Sequence, residues 1–194
     1  MSYFAKNRLE AFSDGVLAII ITIMVLELKP PATAELHLLK PLLPALMSYT
    51  LSFIYLGIYW NNHHHLLHAA KSINARIMWA NLHLLFWLSL FPFVTAWTGQ
   101  THSATWPTAL YGSVFFMAAI AYWILQNCII ALEGKNSALA AAFGSDWKGK
   151  LSPALYIVAI LLAFVIPWFS NVIYALVAAL WVQPDRRIEK LLEK

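Results

Sequence analysis

The hydropathy pattern is a series of apolar runs divided by short polar connections. The runs span about 12 to 28, 42 to 60, 78 to 98, 106 to 128, 152 to 167 and 170 to 183. A helix rises 1.5 Å per residue, so roughly 20 apolar residues are needed to cross a hydrocarbon core. The first four runs approach or reach that length. The last two are shorter, and Pro167 with the WFSN that follows predicts a tight hairpin between them. The expected fold is therefore all-α: a single polytopic membrane unit over 1–194 with six transmembrane helices, the first over about 6–28 and a polar tail over about 184–194. No internal repeat and no low-complexity linker divides it.

Composition points to the same solvent. Of the 194 residues 61% are hydrophobic and 11% charged, with nine Trp, against about 25% charged in soluble domains. A net charge of +4 would suggest nucleic acid in a soluble protein. Here the basic residues lie between apolar spans, where they set orientation, and nucleic acid is discounted as a partner. With six spans, Lys6, Arg8, Lys71, Arg76, Lys135, Lys148, Lys150, Arg186, Arg187, Lys190 and Lys194 fall on the side of the N-terminus, and only Lys29 and Lys40 on the other. The positive-inside rule then places both termini in the cytoplasm. Trp97, Trp106 and Trp168 suit an outer aromatic belt, and Trp60, Trp79 and Trp147 an inner one. The first span follows two positive residues without a small-x-small cleavage pattern and is read as uncleaved. Cys128, the one cysteine, excludes an intrachain disulfide.

The most unusual stretch is RLEAFSDGVLAIIITIMVLELKPP, Arg8 to Pro31, a polar head running into an apolar helix that two prolines stop. An ionisable group near lipid depth is costly unless protein or water partners it. Asp14 is expected to find its partner among His63, His64 and His65 at the end of the second span and Asn81 at the start of the third, with Arg8 and Ser13 participating. Such a cluster would join three helices and set the tilt of the first; which histidine pairs with Asp14 is open. Farther along, Ile19, Ile23 and Leu26 are spaced i, i+4, i+7 and share a stripe, with Thr22 beside it. Periodicity by itself fits plain packing or lipid contact as well as any special role.

Arg8, Phe12, Ser13 and Asp14 form an RxxxFSD pattern leading directly into the apolar helix. With TLSFIYLGIYWNNHHHLLH from Thr50 to His68 and NLHLLFWLSLFPFVTAW from Asn81 to Trp97, this layout resembles the transmembrane protein 175 family of potassium channels. Those channels lack the TVGYG carbonyl filter, and no such pentapeptide occurs here. The resemblance implies a homotetramer of single-repeat subunits in a prokaryotic inner membrane. Its first helices would line a potassium-permeable pore, with Ile19 at an apolar constriction, Thr22 linked to preference for potassium, Ile23 and Leu26 as further apolar rings, and the RxxxFSD residues in an architectural role. In such an assembly Glu27, and Glu35 in the loop after it, would ring the outer mouth with negative charge; they read equally well as solvated loop acids beside Lys29. Lipid and monovalent cations are the partners, permeating potassium the only ligand, and no cofactor is expected.

Two other classes compete. A proton-permeable pore or small secondary transporter would use His and Asp14 as a relay. A metal enzyme would use His64 and His68 at i, i+4, but His37, His83 and His102 are scattered, so no metal site is expected. No glycine-rich nucleotide loop, catalytic triad or EF-hand pattern is present, and no enzyme activity is expected. Glu133, Lys135, Asp146, Lys148 and Lys150 read as a solvated face, and DRRIEKLLEK as an amphipathic helix on the inner leaflet.

Overall fold

The computed structural model describes residues 6–31, 33–134, 137, 140 and 147–182. Lys135, Asp146 and the tail DRRIEKLLEK lie outside the described residues. The described elements are all helical: α1 (Lys6–Leu26), a 3-10 helix (Leu36–Leu42), α2 (Leu43–Ala69), α3 (Ala75–Ser89), α4 (Phe91–Gln100), α5 (Thr105–Glu133), α6 (Trp147–Leu162) and α7 (Pro167–Val182). Among the described residues four stretches are long and apolar enough to cross a bilayer: Lys6–Leu26, Leu36–Ala69, Ala75–Gln100 and Thr105–Glu133. The 16-residue α6 and α7 reach about 24 Å each and form the hairpin that the sequence predicts, with Ile166 N donating to Leu162 O at 2.7 Å and Pro167 opening α7.

Local chemistry explains the boundaries. Prolines at 30 and 31 end the first segment, and Pro44 starts α2 at a position where its missing N–H costs nothing. Asn74 caps α3 by accepting from Ile77 N at 3.0 Å. The run from 78 to 98, expected as one helix, is broken at Leu90 into α3 and α4. Pro92 removes an amide hydrogen and its ring crowds the preceding turn, so the regular helix is interrupted there. Glu133 is followed by Gly134 at φ +99°, whose N–H closes α5 onto Ile130 O at 2.9 Å.

The core is unusually aromatic. Phe115 on α5 stacks on Tyr55 of α2 with ring centroids 4.0 Å apart, and the rings of Tyr111, Phe91, Tyr156 and Tyr174 surround it at centroid separations of 4.3, 5.2, 6.0 and 5.6 Å. These hydroxyls are satisfied internally, as they must be at membrane depth. Tyr55 Oη donates to Tyr174 O at 2.7 Å, Tyr156 Oη to Tyr55 Oη at 3.2 Å and Tyr174 Oη to Thr108 O at 3.2 Å. Two close approaches demand glycine: a Cβ on Gly112 would collide with Tyr174 Oη, and one on Gly99 would lie 2.7 Å from Ala45 Cα. Gly112→Ala should therefore destabilise the protein by about 1–3 kcal/mol through overpacking, read as a lower midpoint in thermal unfolding of the purified protein.

The first helix is held against this bundle by one face. Leu9, Ser13, Leu17, Ile20 and Met24 are buried, the spacing of a single helical stripe, and they pack on α2, α3 and α4. At its start Lys6 Nζ donates to His68 O at 2.8 Å and Ala70 O at 3.0 Å. This places a cation on the unpaired carbonyls that close α2.

Candidate functional site

Two buried polar contacts fix the rotation of α1. Near its start Asn81 Nδ2 of α3 donates to Ser13 Oγ at 2.9 Å, and Ser13 Oγ donates to Leu9 O at 2.8 Å. With the Asn81 nitrogen so used, its Oδ1 must accept from His63 Nε2 of α2, 2.6 Å away, so the neutral imidazole carries its proton on Nε2. The chain of bonds runs one way, from His63 through Asn81 and Ser13 to the backbone. Eleven residues on, about three turns, Thr95 Oγ1 of α4 reaches Met24 Sδ at 3.8 Å. Thr95 in turn pairs with Ser52 Oγ at 2.6 Å, and Ser52 with Tyr111 Oη at 2.6 Å. At 100° per residue, Ser13 and Met24 point the same way. The far side of the helix is then occupied by Gly15, Ile19, Thr22 and Leu26.

That far side is bare. Ile19 is 58% exposed and Leu26 77% exposed, and Thr22 is exposed as well. Ile23, 44% exposed, lies on the flank. A groove of about 680 Å³ runs beside it, bounded by Ile19, Ile23 and Glu27 of α1 and by Phe93, Trp97 and Gln100 of α4. Thr22 Oγ1 donates to Ile19 O at 2.9 Å. Its proton is thereby committed to the backbone and its oxygen lone pairs are turned outward. Glu27 is exposed at the end of α1; Glu35 lies apart from it, 3.2 Å from His37 Nδ1.

The expected polar cluster forms with a smaller membership. Ser13, His63 and Asn81 come together, whereas Asp14 does not join them. One residue is 100° of rotation, which carries Asp14 out of the packed face, where Trp60 Nε1 donates to its Oδ1 at 3.0 Å. His64, instead of pairing with Asp14, stacks between Trp60 and His68 at 6.1 and 5.9 Å. His65 leaves Nδ1 buried without a hydrogen bond among the described residues. Arg8 is exposed and makes no hydrogen bond or ion pair with the described residues, and Phe12 is 52% exposed. Sequence reasoning missed Ser52, Thr95 and Tyr111, and read Trp60 as a belt residue and not as the partner of Asp14. The signal was available, since each is a hydrogen-bonding side chain inside an apolar run, where such groups need partners. No group of three or more His, Cys, Asp or Glu able to hold a metal is found among the described residues.

A bundle with four helical stretches long and apolar enough to span a bilayer, in which most of the buried polar side chains are paired within the protein, defines an integral membrane protein. Residues 8–92 match the family described as "Endosomal/lysosomal potassium channel TMEM175". A potassium channel of Chryseobacterium sp. (strain P1-3) is 54% identical over 189 residues, covering 97% of this chain and 98% of the relative. The bovine endosomal/lysosomal proton channel TMEM175 is 27% identical over 192 residues, covering 88% of this chain and 40% of that protein. Among solved structures, a lysosomal potassium-selective channel TMEM175 homolog from Chamaesiphon minutus superposes with a TM-score of 0.78 at 26% identity, over 93% of this chain and 97% of that one. The chain belongs to the TMEM175 family.

Proposed function

We propose that this chain is one subunit of a potassium-permeable cation channel in a prokaryotic inner membrane, with six spans and both termini cytoplasmic. The bacterial relative named as a potassium channel supports the activity. The observation that carries the pore assignment is the division of α1 into a pinned face and a bare one. A single helix cannot enclose a pore, so identical copies must surround an axis. Closed cyclic symmetry is the ordinary solution, and a homotetramer is the state we assign. Lys6, Arg8, Lys71, Arg76, Lys148 and Lys150 gather at the end of the bundle where α1 begins, which supports the orientation.

Copies of Ile19 facing one another form a narrow apolar collar that dewets and resists ions until the helices part. Ile23 and Leu26 continue the apolar lining toward the outer end, where Glu27 raises the local concentration of cations. Potassium sheds hydration water more readily than sodium because its charge is more spread out. Thr22 oxygens, with their protons on the Ile19 carbonyl, offer acceptors to a partly dehydrated ion at the next turn. Thr22→Val should move the potassium to sodium permeability ratio toward one by less than about tenfold, a barrier difference under 1.4 kcal/mol. Recordings of the purified protein in planar bilayers with potassium on one side and sodium on the other test both points. Potassium-selective current supports the reading, and absent or anion-carried current overturns it.

A proton-permeable pore is the second reading, favoured by the name of the bovine relative. Against it, the hydrogen-bonded chain from His63 ends on Leu9 O on the packed side of α1, away from the face assigned to the axis. For a small transporter, paired broken helices would be the signature. Among the described residues the break at Leu90 has no counterpart in α5, α6 or α7.

A further inference from the structure

We propose that the cavity lined by α2, α5, α6 and α7 binds a small uncharged amphiphile carrying a hydroxyl, of the size of a short-chain alcohol. The cavity measures about 50 Å³, and since one water needs about 10–15 Å³, it admits about three to five groups of that size. None of its walls comes from α1, so it is separate from the face assigned to conduction.

Most polar groups on its walls are already committed. Asn62 Nδ2 donates to Ile58 O at 2.8 Å, Trp181 Nε1 to Ser152 Oγ at 2.8 Å, and Ser152 Oγ to Lys148 O at 2.8 Å. Two are not. Gln126 is 6% exposed and Tyr59 9% exposed, both line the cavity, and neither the Gln126 amide nor the Tyr59 hydroxyl makes a hydrogen bond with the described residues. Asn62 Oδ1 is likewise without a partner there. A buried amide left unpaired is costly, so this space calls for an occupant that both donates and accepts.

The remaining walls narrow the class. Among the described residues no Asp, Glu, Lys or Arg lines the cavity, so an ionic guest would sit uncompensated by them at membrane depth. Tyr55, Tyr122, Trp123 and Tyr156 supply aromatic surface, which water alone would leave wet. A hydroxyl on Gln126 and Tyr59 with two or three carbons against the rings satisfies both kinds of wall.

Crystals of the full chain soaked in 2-bromoethanol should show bromine anomalous density inside this cavity, with the alcohol oxygen within hydrogen-bond range of the Gln126 amide or Tyr59 Oη. Gln126→Leu should weaken binding about tenfold, the usual effect of losing one good polar contact, seen as lost occupancy in the same soak. Ala119 also lines the cavity, and Ala119→Phe should abolish the density. Ala119→Val serves if the larger variant does not fold. Ordered water alone in the cavity, with bromine only on lipid-facing surface, overturns the proposal, as does undiminished density in Gln126→Leu. The readout is occupancy, so it stands or falls independently of conduction.

Discussion

Passive potassium flux through proteoliposomes should rise about tenfold or more when Ile19 is replaced by Ala, since 1.4 kcal/mol off a barrier is a factor of ten. The substitution removes three carbons from each copy, and each buried methylene is worth about 0.8 kcal/mol. A collar of several copies therefore loses more apolar contact than tenfold requires. Folding should be little affected, because Ile19 is 58% exposed within a protomer. Ile19→Gly would weaken the helix as well, so Ala is the cleaner change. Flux unchanged in Ile19→Ala would remove Ile19 from the constriction.

The second large effect lies in the anchor. Asn81→Ala should cost about 3 kcal/mol, because each buried partner left unpaired costs roughly 1–3 kcal/mol. Asn81 is fully buried and ties Ser13 of α1 to His63 of α2. His63 Nε2 then has no acceptor, while Ser13 keeps its bond to Leu9 O, so most of the loss falls on the histidine. Ser13→Ala should cost less, about 1 kcal/mol. Denaturation of the detergent-solubilised protein measures both. If Asn81→Ala is no worse than Trp79→Ala, a change on an exposed side chain, the buried chain of bonds is not what holds α1.

Much of this architecture can be read before any coordinates, and the reason is solvent. In lipid a helix must satisfy its own backbone, so apolar runs translate directly into helices, and five of the six runs appear as single described elements close to their expected places. The third is also one span, Ala75–Gln100, but it is divided at Leu90, because apolarity says nothing of backbone continuity; Pro92 was visible in the sequence, but whether a proline kinks or splits a span depends on the packing around Leu90. Depth matching brought Ser13, His63 and Asn81 together correctly, since residues at one level of a bundle are neighbours. It could not choose between Ser13 and Asp14, one position apart, because the rotation of α1 is set by tertiary contacts such as Thr95 with Met24. The Phe115 cluster and the cavity near Gln126 join residues from four or five helices, and no local pattern encodes such encounters.

Conduction along the symmetry axis requires the bare side of α1 to face the path of the ion. Cys128 is the one cysteine, so a Cys128→Ser background gives a silent protein in which Ile19→Cys is the single thiol. A charged, water-soluble thiol reagent applied to open Ile19→Cys channels should abolish the potassium current permanently. Full current persisting after mass spectrometry confirms modification would contradict the account.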